Sequence, residues 1–541
     1  MTTEENYQAY CRDVSALACY GSDHPYEVSL FTDERQAQMA IDGFTRFESL
    51  VIRSAEEALS HLDIDITDDR TLFILSTTKA NVAELSAEGA DNRCYCAPGE
   101  TALRIAKHLG VSTKALVVSN ACISGISAQI TALRMLEAGM YDKAVVCGAD
   151  NISQFLIAGF QSFLSLASSP CRPFDLERNG LNLGEAAATM VLVNSSNEEV
   201  CDELMRNAWA IVSGAATNDA YHLSSPSPMG EGMQQAIRST IEGVSADMIA
   251  TVNAHGTSTI FNDQMESKAI EHCGLSDVSV SAYKGCFGHT LGAAGLLESI
   301  LTMRALEDGI VLPVRGFENM GVSGHISISN QSQPADKQSF LKIISGFGGC
   351  NAAMLYSREK SLLQRIACGA DRVKSPELQV LCEWEADSTF SPKQIYKQLI
   401  GDYPKFYKMD RLCQVAFVAS ELILRDCEEK PTAIILFNRS TSIISDCKHL
   451  ATLDKLGIPS PSVFLYTLPN IMLGEIAIRH QIHGESSLYI LEKRDEELMQ
   501  QVIDVTMQFG ESDCILTGWV DCPDEQNIEA ELKILKRKEI R

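Results

Sequence analysis

The sequence lacks an excess of positive charge. Among its 541 residues, 45 are Lys or Arg and 71 are Asp or Glu, which gives a formal net charge of −26 at pH 7. Phosphate backbones and anionic lipid surfaces select proteins with basic surfaces. The balance therefore argues against a nucleic-acid partner and against docking on a membrane, although a local basic patch for an acidic partner remains compatible with it.

The sequence also lacks a secretory leader and a long apolar run. Met1–Tyr7 is polar, with no basic stretch followed by an apolar one, and no run approaches the roughly 18–20 apolar residues of a membrane span. We therefore expect a cytoplasmic chain whose 18 cysteines are mostly reduced. Cys94 and Cys96 form a C-x-C pair without a second pair at zinc spacing, so no metal site is predicted.

Apolar runs of strand length alternate with helical patterns through most of the chain, which predicts an α/β fold. The clearest elements in the first part are the predicted strands Thr71–Ser76, Ala115–Val118, Lys143–Val146 and Ala188–Leu192 and the predicted helix Ser127–Ala138. A chain this long usually divides into two or three domains. The pattern predicts α/β units over residues 1–200, 201–358 and 405–541, with a polar connector over 359–404.

The third unit repeats the first in four places and in the same order. The matched pairs are Phe44–Ile52 with Met409–Phe417, Thr71–Asn81 with Thr432–Ser442, Gly99–Arg104 with Gly474–Arg479, and Gly139–Gly148 with Gly510–Gly518. Chance can supply one such match, whereas four in order predict a duplicated α/β unit. The alternative is a generic α/β appendage, because unrelated α/β units share this alternation.

Cys122 follows an apolar strand and precedes a long helical pattern, within Ser119–Gly125 (SNACISG). At such a turn the free N–H groups and the positive end of the helix dipole lower a thiol pKa. Ala121 and Gly125 are small and leave room for a substrate beside the sulfur. By itself this pattern also fits a buried core cysteine.

Two histidines lie on glycine-flanked loops, where a backbone can approach a ligand closely. His255 lies in Val252–Ile260 (VNAHGTSTI), and His289 lies in Lys284–Gly295 (KGCFGHTLGAAG). A third loop, Ser345–Asn351 (SGFGGCN), has glycines that let backbone N–H groups point at an oxyanion. Each has a structural explanation when taken alone, but a cysteine, two histidines and a donor loop together suit thioester condensation.

These motifs resemble the β-ketoacyl-acyl-carrier-protein synthases of the two-histidine kind, over roughly Phe44 to Ser357. The NACISG segment resembles the nucleophile motif of that family, and HGTST resembles its first histidine motif. The spacing of Lys284, His289 and Glu298 also matches the family, as do the acidic positions Asp263 and Glu266. The resemblance implies a thiolase-like fold, in which two α/β/α/β/α halves pack together, with the third α/β unit as an additional half.

The resemblance also implies roles for these residues. Cys122 would be acylated, and His255 and His289 would stabilise the enolate formed from a malonyl extender. Lys284 and Glu298 would form an ion pair that orients the histidines, with Asp263 and Glu266 in support. The N–H groups of Cys122 and Phe347 would form the oxyanion hole, Phe347 would act as a gate, and Thr257 and Thr259 would hold the pantetheine arm. No metal or redox cofactor is implied.

The implied partners are an acyl carrier protein and a dimer mate, which would be a second copy or another ketosynthase-fold protein. The sequence departs from the family in three respects. No glycine-rich opening strand is recognisable in Met1–Asp33, Asn179 replaces an aspartate, and Cys350 replaces a threonine. In the repeated unit, the charged segment Leu491–Glu496 (LEKRDE) stands where the nucleophile turn is expected, which predicts a catalytically inactive half-ketosynthase over 405–541.

Three functions follow from these patterns. The first is an active ketosynthase of fatty-acid-like or polyketide-like synthesis, with a faint resemblance to those of aryl-polyene or flexirubin-type pigment clusters. The second is a non-catalytic chain-length partner of a ketosynthase heterodimer, which usually lacks the cysteine. The third is a thiolase acting on coenzyme A thioesters, which usually carries a second catalytic cysteine. Cys122 together with both histidines favours the first.

Overall fold

The computed structural model describes residues 2–20, 26–85, 97–194, 208–359, 361–362, 376–456 and 460–538. The pair Cys94 and Cys96 therefore lies outside the described residues. The strands are β1 Leu17–Cys19, β2 Glu27–Ser29, β3 Thr71–Ser76, β4 Ala115–Val118, β5 Lys143–Asp150, β6 Leu183–Gly184, β7 Ala186–Val193, β8 Ala210–Asn218, β9 Thr251–Asn253, β10 Ser279–Ser281, β11 Ile310–Val311, β12 Ser327–Ile328, β13 Gln333–Pro334, β14 Ser339–Gly346, β15 Cys350–Ser357, β16 Leu378–Glu385, β17 Ala433–Asn438, β18 Ser486–Ile490, β19 Cys514–Asp521 and β20 Glu529–Arg537. The helices are α1 Thr3–Cys11, α2 Asp33–Met39, α3 Arg46–Ser60, α4 Pro98–His108, α5 Ser124–Glu137, α6 Gln154–Ser162, α7 Glu231–Thr240, α8 Ile260–His272, α9 Lys284–Phe287, α10 Ala294–Glu307, α11 Pro392–Ile395, α12 Arg411–Arg425, α13 Ile443–Leu456, α14 Pro461–Leu465, α15 Ile471–His480 and α16 Glu496–Phe509.

A nine-stranded sheet contains strands from both the N-terminal and the C-terminal parts of the chain. Its order is β16-β20-β19-β17-β18-β4-β3-β5-β7. Strands β3, β4, β17 and β18 are buried along their whole length, as their unbroken apolar sequences predict for strands covered on both faces. The N-terminal and C-terminal α/β units therefore share one sheet and one core.

The two units meet at β4 and β18, which pair antiparallel with Val118 opposite Tyr489. On one side the order is β4-β3-β5-β7, and on the other it is β18-β17-β19-β20, with the same parallel and antiparallel pairings. The four matched sequence segments fall on equivalent elements, namely α3 with α12, β3 with β17, α4 with α15, and β5 with β19. A pseudo-twofold axis thus passes between β4 and β18.

A second sheet, with the order β12-β10-β9-β14-β15-β8, holds the middle part of the chain. Helices α5 and α10 pack on each other and against strands of both sheets. Nearly all residues of α5 are buried because this helix is covered on all sides. With the outer helices on each sheet, residues up to about 357 form the α/β/α/β/α layers expected from the sequence.

Polar contacts fix the C-terminal unit, residues 376–538, onto the first. The Leu488 N–H donates to Asn120 Oδ1 at 2.7 Å, two residues before Cys122. The Arg134 guanidinium donates to Glu485 at 2.8 Å, and both side chains are buried. These contacts join the region around β18 to the turn before Cys122 and to α5. The C-terminal unit therefore supports the segment that carries Cys122.

The predicted connector over 359–404 is corrected by the structure. Its later part contains β16, which pairs antiparallel with β20 at the edge of the nine-stranded sheet. The alternating polar and apolar residues of β16 cover one face of the edge while leaving the other in solvent. The C-terminal unit therefore begins at about residue 376. Within the described ranges, no helix combines the length and apolar character needed to cross a membrane.

Removing residues 376–541 should abolish soluble, monodisperse protein. The truncation uncovers the edge of β4 and the apolar side chains beneath β18 and α16, at a cost of roughly 25 cal/mol per Å² of apolar area. Size-exclusion chromatography with light scattering measures the result. Glu497→Gln, which removes an exposed charge of the same unit, is the control and should behave as the unaltered chain. A truncated protein with the elution volume of a compact particle would contradict this expectation.

Candidate active site

Cys122 lies on a single 3₁₀ turn, Ala121–Ile123, between β4 and α5. Ala121 adopts a left-handed conformation with φ of 48°, which a residue with a small side chain tolerates best. The Ser124 hydroxyl locks this turn, because it accepts from the Asn120 N–H at 2.8 Å and donates to the Ala121 carbonyl at 2.6 Å. The turn thus directs Cys122 away from the sheet and towards the second half.

His289 contacts the cysteine directly. Its Nε2 lies 3.0 Å from Cys122 Sγ, and its Nδ1 accepts from the Leu291 N–H at 3.2 Å. Because Nδ1 accepts a hydrogen bond, the ring proton is assigned to Nε2, which donates to sulfur. The His255 ring lies beside it, with ring centroids 4.9 Å apart and planes at 81°. The structure therefore brings the three expected residues together.

Both imidazoles are neutral at physiological pH. Burial lowers the pKa of His255 and of His289 well below the usual range, and the charge of Lys284 adds to this effect. A neutral imidazole with its proton on Nε2 can donate a hydrogen bond without carrying a charge. The pair is suited to stabilising a developing oxyanion.

Asp263 and Glu266 hold the backbone of the His255 loop. Glu266 accepts from the His255 N–H at 2.7 Å and from the Gly256 N–H at 2.8 Å. Asp263 accepts from the Ser258 N–H at 3.1 Å and from the Phe174 N–H at 2.7 Å. Burial raises the pKa of Asp263 to about 6 and that of Glu266 to about 7. Their carboxylates therefore shape the loop by hydrogen bonding.

Glu298 binds two lysines, where the sequence predicted one. Lys284 Nζ lies 2.5 Å from Glu298 Oε1 and donates to the His255 carbonyl at 2.7 Å. Lys342 Nζ donates to Glu298 Oε2 and also to the Ala254 carbonyl at 3.2 Å. All three side chains are buried. A lysine within the apolar strand Phe340–Ile344 is the signal that sequence reasoning missed.

The charges of this triad are coupled. Burial opposes ionisation of Glu298, but the ammonium groups of Lys284 and then Lys342 hold its pKa below the usual range. Burial lowers the pKa of Lys342 to about 8, against the attraction of Glu298. Through the carbonyls of Ala254 and His255, the triad fixes where the first histidine loop begins.

The expectation of a thiolate at Cys122 is corrected. Burial raises the pKa of the Cys122 thiol to about 12, although the charge of Lys284 opposes this shift. Desolvation opposes the effect of the dipole of the following helix, which favours thiolate. The resting group is therefore a thiol held against the His289 imidazole.

The loop with Phe347 lies opposite the cysteine. A Cβ atom at Gly346 would lie 3.1 Å from the Cys122 backbone nitrogen, so glycine permits this close approach. The Phe347 ring packs near Phe160 and Phe163, with ring centroids 6.2 and 5.4 Å away. The Phe347 carbonyl accepts from Asn470 Nδ2 at 2.8 Å. The loop that was assigned as gate is therefore anchored by the C-terminal unit.

A cavity of about 360 Å³ surrounds the cysteine. Thr257 and Thr259 line it, and their hydroxyls lie 2.9 Å apart. Phe464 and Leu468 of the C-terminal unit also line it, which sequence reasoning did not predict.

Among the described residues, Cys122, His255 and His289 form the one group whose side chains could ligate a metal ion. Their ligand atoms all lie within 4.8 Å of one another.

Alkylation of Cys122 should accelerate with pH and show no plateau between pH 7 and 9. A thiol with a pKa near 12 is almost wholly protonated in this range, so the thiolate fraction grows about tenfold per pH unit. Quenched iodoacetamide labelling followed by peptide mass spectrometry gives the rate. The exposed Cys11 of the same chain is the internal control for reagent quality and accessibility at each pH. A Cys122 plateau below pH 8 would show that the helix dipole prevails.

Glu298→Ala should lower the free energy of unfolding by about 3–5 kcal/mol, because it leaves two buried ammonium groups unpaired. Urea denaturation followed by circular dichroism measures the change. The control is Glu56→Ala, which removes an exposed partner of Arg53 and should change stability by no more than about 1 kcal/mol. Equal effects of the two variants would refute the importance of the triad.

Comparison with known proteins identifies related sequences. Residues 25–198 match the family model of the β-ketoacyl synthase N-terminal domain, and residues 209–318 match that of the C-terminal domain. A 3-oxoacyl-[acyl-carrier-protein] synthase 2 of Synechocystis sp. is 32% identical over 380 residues, covering 64% of this chain and 89% of that protein. The Vibrio cholerae protein of the same name is 35% identical over 266 residues, covering 45% and 62%. The putative mitochondrial 3-oxoacyl-[acyl-carrier-protein] synthase of Schizosaccharomyces pombe is 30% identical over 277 residues, covering 47% and 64%. The chain thus spans just under two thirds of the length of several curated relatives.

Solved structures agree on the fold. The PfaC keto synthase–chain length factor superposes with a TM-score of 0.77 at 15% identity, covering 99% of this chain and 77% of that one. A β-ketoacyl synthase from Burkholderia phymatum superposes with a TM-score of 0.57 at 22% identity, covering 66% and 95%. These likenesses confirm the thiolase-like fold predicted from the sequence. Because the two family models cover both halves and relatives exceed 30% identity, the chain belongs to the β-ketoacyl synthase family.

Proposed function

We propose that the chain is a β-ketoacyl-acyl-carrier-protein synthase, an acyltransferase that condenses an acyl thioester with a malonyl extender in fatty-acid-like or polyketide synthesis. The observation that carries this proposal is the 3.0 Å contact between Cys122 Sγ and His289 Nε2, with the His255 ring beside it at the end of a cavity. A nucleophile beside two neutral hydrogen-bond donors matches the needs of thioester condensation.

In the first step, Cys122 takes up the acyl group. The sulfur attacks the thioester carbonyl of the acyl donor, and the thiol proton leaves with the departing pantetheine thiol. The Nε2–H group of His289 stabilises negative charge on the sulfur as it forms. The N–H groups of Cys122 and Phe347 would receive the oxyanion of the tetrahedral intermediate, at the close approach that Gly346 permits.

In the second step, the extender binds in the same cavity. His255 and His289 donate hydrogen bonds to the thioester carbonyl of the malonyl group, which lowers the energy of the enolate left when CO₂ departs. The enolate carbon attacks the acyl–Cys122 carbonyl, a C–C bond forms, and the cysteine sulfur leaves and takes up a proton from solvent water. Lys284 and Glu298 position the histidine loop, with Lys342 as a third member of that set.

The pantetheine arm of an acyl carrier protein would reach the cysteine past Thr257 and Thr259. Their hydroxyls line the cavity and can exchange hydrogen bonds with the amides of the arm. We propose that no metal or redox cofactor takes part, because decarboxylation and carbonyl attack need only the donors described. Since a thiol and two imidazoles also suit zinc, retention of activity in EDTA tests this point. We also propose a cytoplasmic location, which rests on the sequence alone.

The C-terminal unit is proposed to be a half-ketosynthase without chemistry. Because Val118 and Tyr489 occupy equivalent places beside β3 and β17, Lys493 stands where the first unit has Cys122, and Arg494 follows it. Arg494 donates to Glu496 and Glu531 at the surface. An aryl-polyene or flexirubin-type pathway remains a proposal that rests on the sequence motif.

Assembly with a second copy or another ketosynthase-fold protein is also proposed. Similar solved structures include the ishigamide ketosynthase/chain length factor and a ketosynthase in complex with its acyl-carrier protein. In this chain the edge of β4 is already paired with β18, so a further subunit would bind elsewhere. The alternative of a non-catalytic chain-length partner is less favoured, because the nucleophile and both imidazoles are present and in contact.

Cys122→Ala should abolish acyl loading and condensation, because no other group replaces the sulfur. His255→Ala and His289→Ala should each reduce malonyl decarboxylation about 10²-fold or more, the scale of a lost oxyanion donor. Acyl loading on the intact protein, followed by mass spectrometry, and CO₂ release, followed by a coupled assay, separate the two half-reactions.

The control is Cys273→Ser, a half-buried cysteine at the end of α8 that does not line the cavity. It should retain both half-reactions. Loading of Cys122→Ala at the unaltered rate would refute the nucleophile. Equal losses of loading and decarboxylation in both histidine variants would assign these residues a purely structural role.

A further inference from the structure

A second cavity adjoins the catalytic one. Its volume is about 340 Å³, and it lies between the N-terminal half and the C-terminal unit. Thr78 lines both cavities. The two are also neighbours at a second point, because Lys79 of the second cavity donates to the carbonyl of Thr467, the residue before Leu468 of the first. A partition about one residue thick therefore separates them.

The two cavities differ in character. Beyond the catalytic residues, the first is lined largely by apolar side chains, among them Leu156, Phe160 and Phe464. The second has a larger share of hydroxyls and charged groups, among them Thr78, Ser440, Lys79 and Glu492, and apolar residues such as Val82 and Ile443 also line it. A molecule with an apolar chain and a polar end could therefore place its chain in the first cavity and its polar end in the second.

Thr78 offers an unused hydrogen-bonding group at the partition. Its backbone N–H is held by the Asp150 carboxylate at 3.0 Å, which fixes the residue in the turn after β3. Its side chain is buried, and its Oγ1 has no hydrogen-bond partner of normal geometry among the described residues. The Asp150 carboxylate nearby is already engaged by the N–H of Gly292 and the hydroxyl of Thr77. A buried hydroxyl left in this state costs free energy, which a bound ligand would recover.

The charges select the kind of group that the second cavity can hold. Among the described residues, four carboxylates face two cations there, and Lys79 is already paired with Asp446 at 2.6 Å. A ligand carboxylate would meet net repulsion, and an alkyl tip would desolvate polar groups without replacing their hydrogen bonds. A neutral hydroxyl can accept from Thr78 and donate to a carboxylate, so it satisfies both demands.

We propose that the acyl cavity continues past Thr78 into this second, more polar cavity, and that the enzyme prefers acyl groups whose far end carries a hydroxyl. The proposal rests on the proposed function, because it concerns the acyl group carried by Cys122. It deepens that function by naming a substrate class and a specificity-determining residue. Thr78 selects by hydrogen bonding at the partition, while the second cavity receives the tip.

Three series of pantetheine thioesters of increasing length test the proposal, with a terminal methyl, hydroxyl or carboxylate group. The measured quantity is kcat/KM for acylation of Cys122, followed by intact-protein mass spectrometry. The hydroxyl-to-methyl ratio should be near one for short chains and rise about tenfold once the chain is long enough to reach Thr78. The carboxylate series should be the poorest at that length.

Thr78→Val removes the hydroxyl at nearly constant volume and should lower the hydroxyl-to-methyl ratio about 5–10-fold, the scale of one hydrogen bond. Thr78→Ser restores the hydroxyl and should restore the ratio. The control is Thr517→Val, because Thr517 is also buried with an unpartnered hydroxyl but lines neither cavity. Its ratio should match that of the unaltered enzyme.

A ratio that stays flat at all lengths, or that Thr78→Val leaves unchanged, would overturn the proposal. A longer chain preferred with a terminal carboxylate would overturn the charge argument in the same way. These outcomes leave the proposed function standing as long as short acyl thioesters still acylate Cys122. Failure of the short methyl series to acylate Cys122 would instead refute the proposed function itself.

Discussion

The antiparallel pairing of β4 with β18 is the constraint on which the rest of this structure depends. Strand β4 ends four residues before Cys122, so any shift of β4 displaces the nucleophile. An unpaired β4 would leave backbone N–H and C=O groups at a buried edge, which carries a large free-energy penalty. The C-terminal unit removes that penalty by continuing the sheet, and the Asn120 side chain ties the nucleophile turn itself to β18.

The pseudo-twofold relation also shows what the two units do differently. Asp150 and Asp521 end equivalent strands, and each carboxylate accepts from the backbone of a turn, the one after β3 for Asp150 and the one after β17 for Asp521. Asp150 additionally accepts from the Gly292 N–H in the second half, near His289. Among the described residues, the hydrogen-bond donors to Asp521 all lie in the C-terminal unit. The equivalent carboxylate therefore joins two halves at Asp150, whereas at Asp521 it joins elements of one unit.

Much of the fold followed from local pattern. Strands β3 and β4 have the predicted bounds because unbroken apolar runs of strand length leave few alternatives, and β5 extends the predicted strand to Asp150. The grouping of Cys122, His255 and His289 was predictable only through the resemblance to a family, since the three residues lie up to 167 positions apart. Lys342 was missed because a single lysine in an apolar strand does not reveal which carboxylate it meets. The edge strand β16 was missed because its residues are polar on alternate positions, as in a loop.

The sequence by itself determined the family and the thiolase-like fold class, and it predicted Cys122, His255 and His289 as the candidate site, because each depends on residue types in short local patterns. Only the tertiary structure decided the protonation of Cys122, since desolvation of a sulfur depends on everything packed around it. It alone decided that Glu298 contacts two lysines and that Phe464 and Leu468 of the C-terminal unit complete the cavity beside Cys122. Such contacts join residues remote in sequence, and their energies arise only when the two sheets have closed on each other.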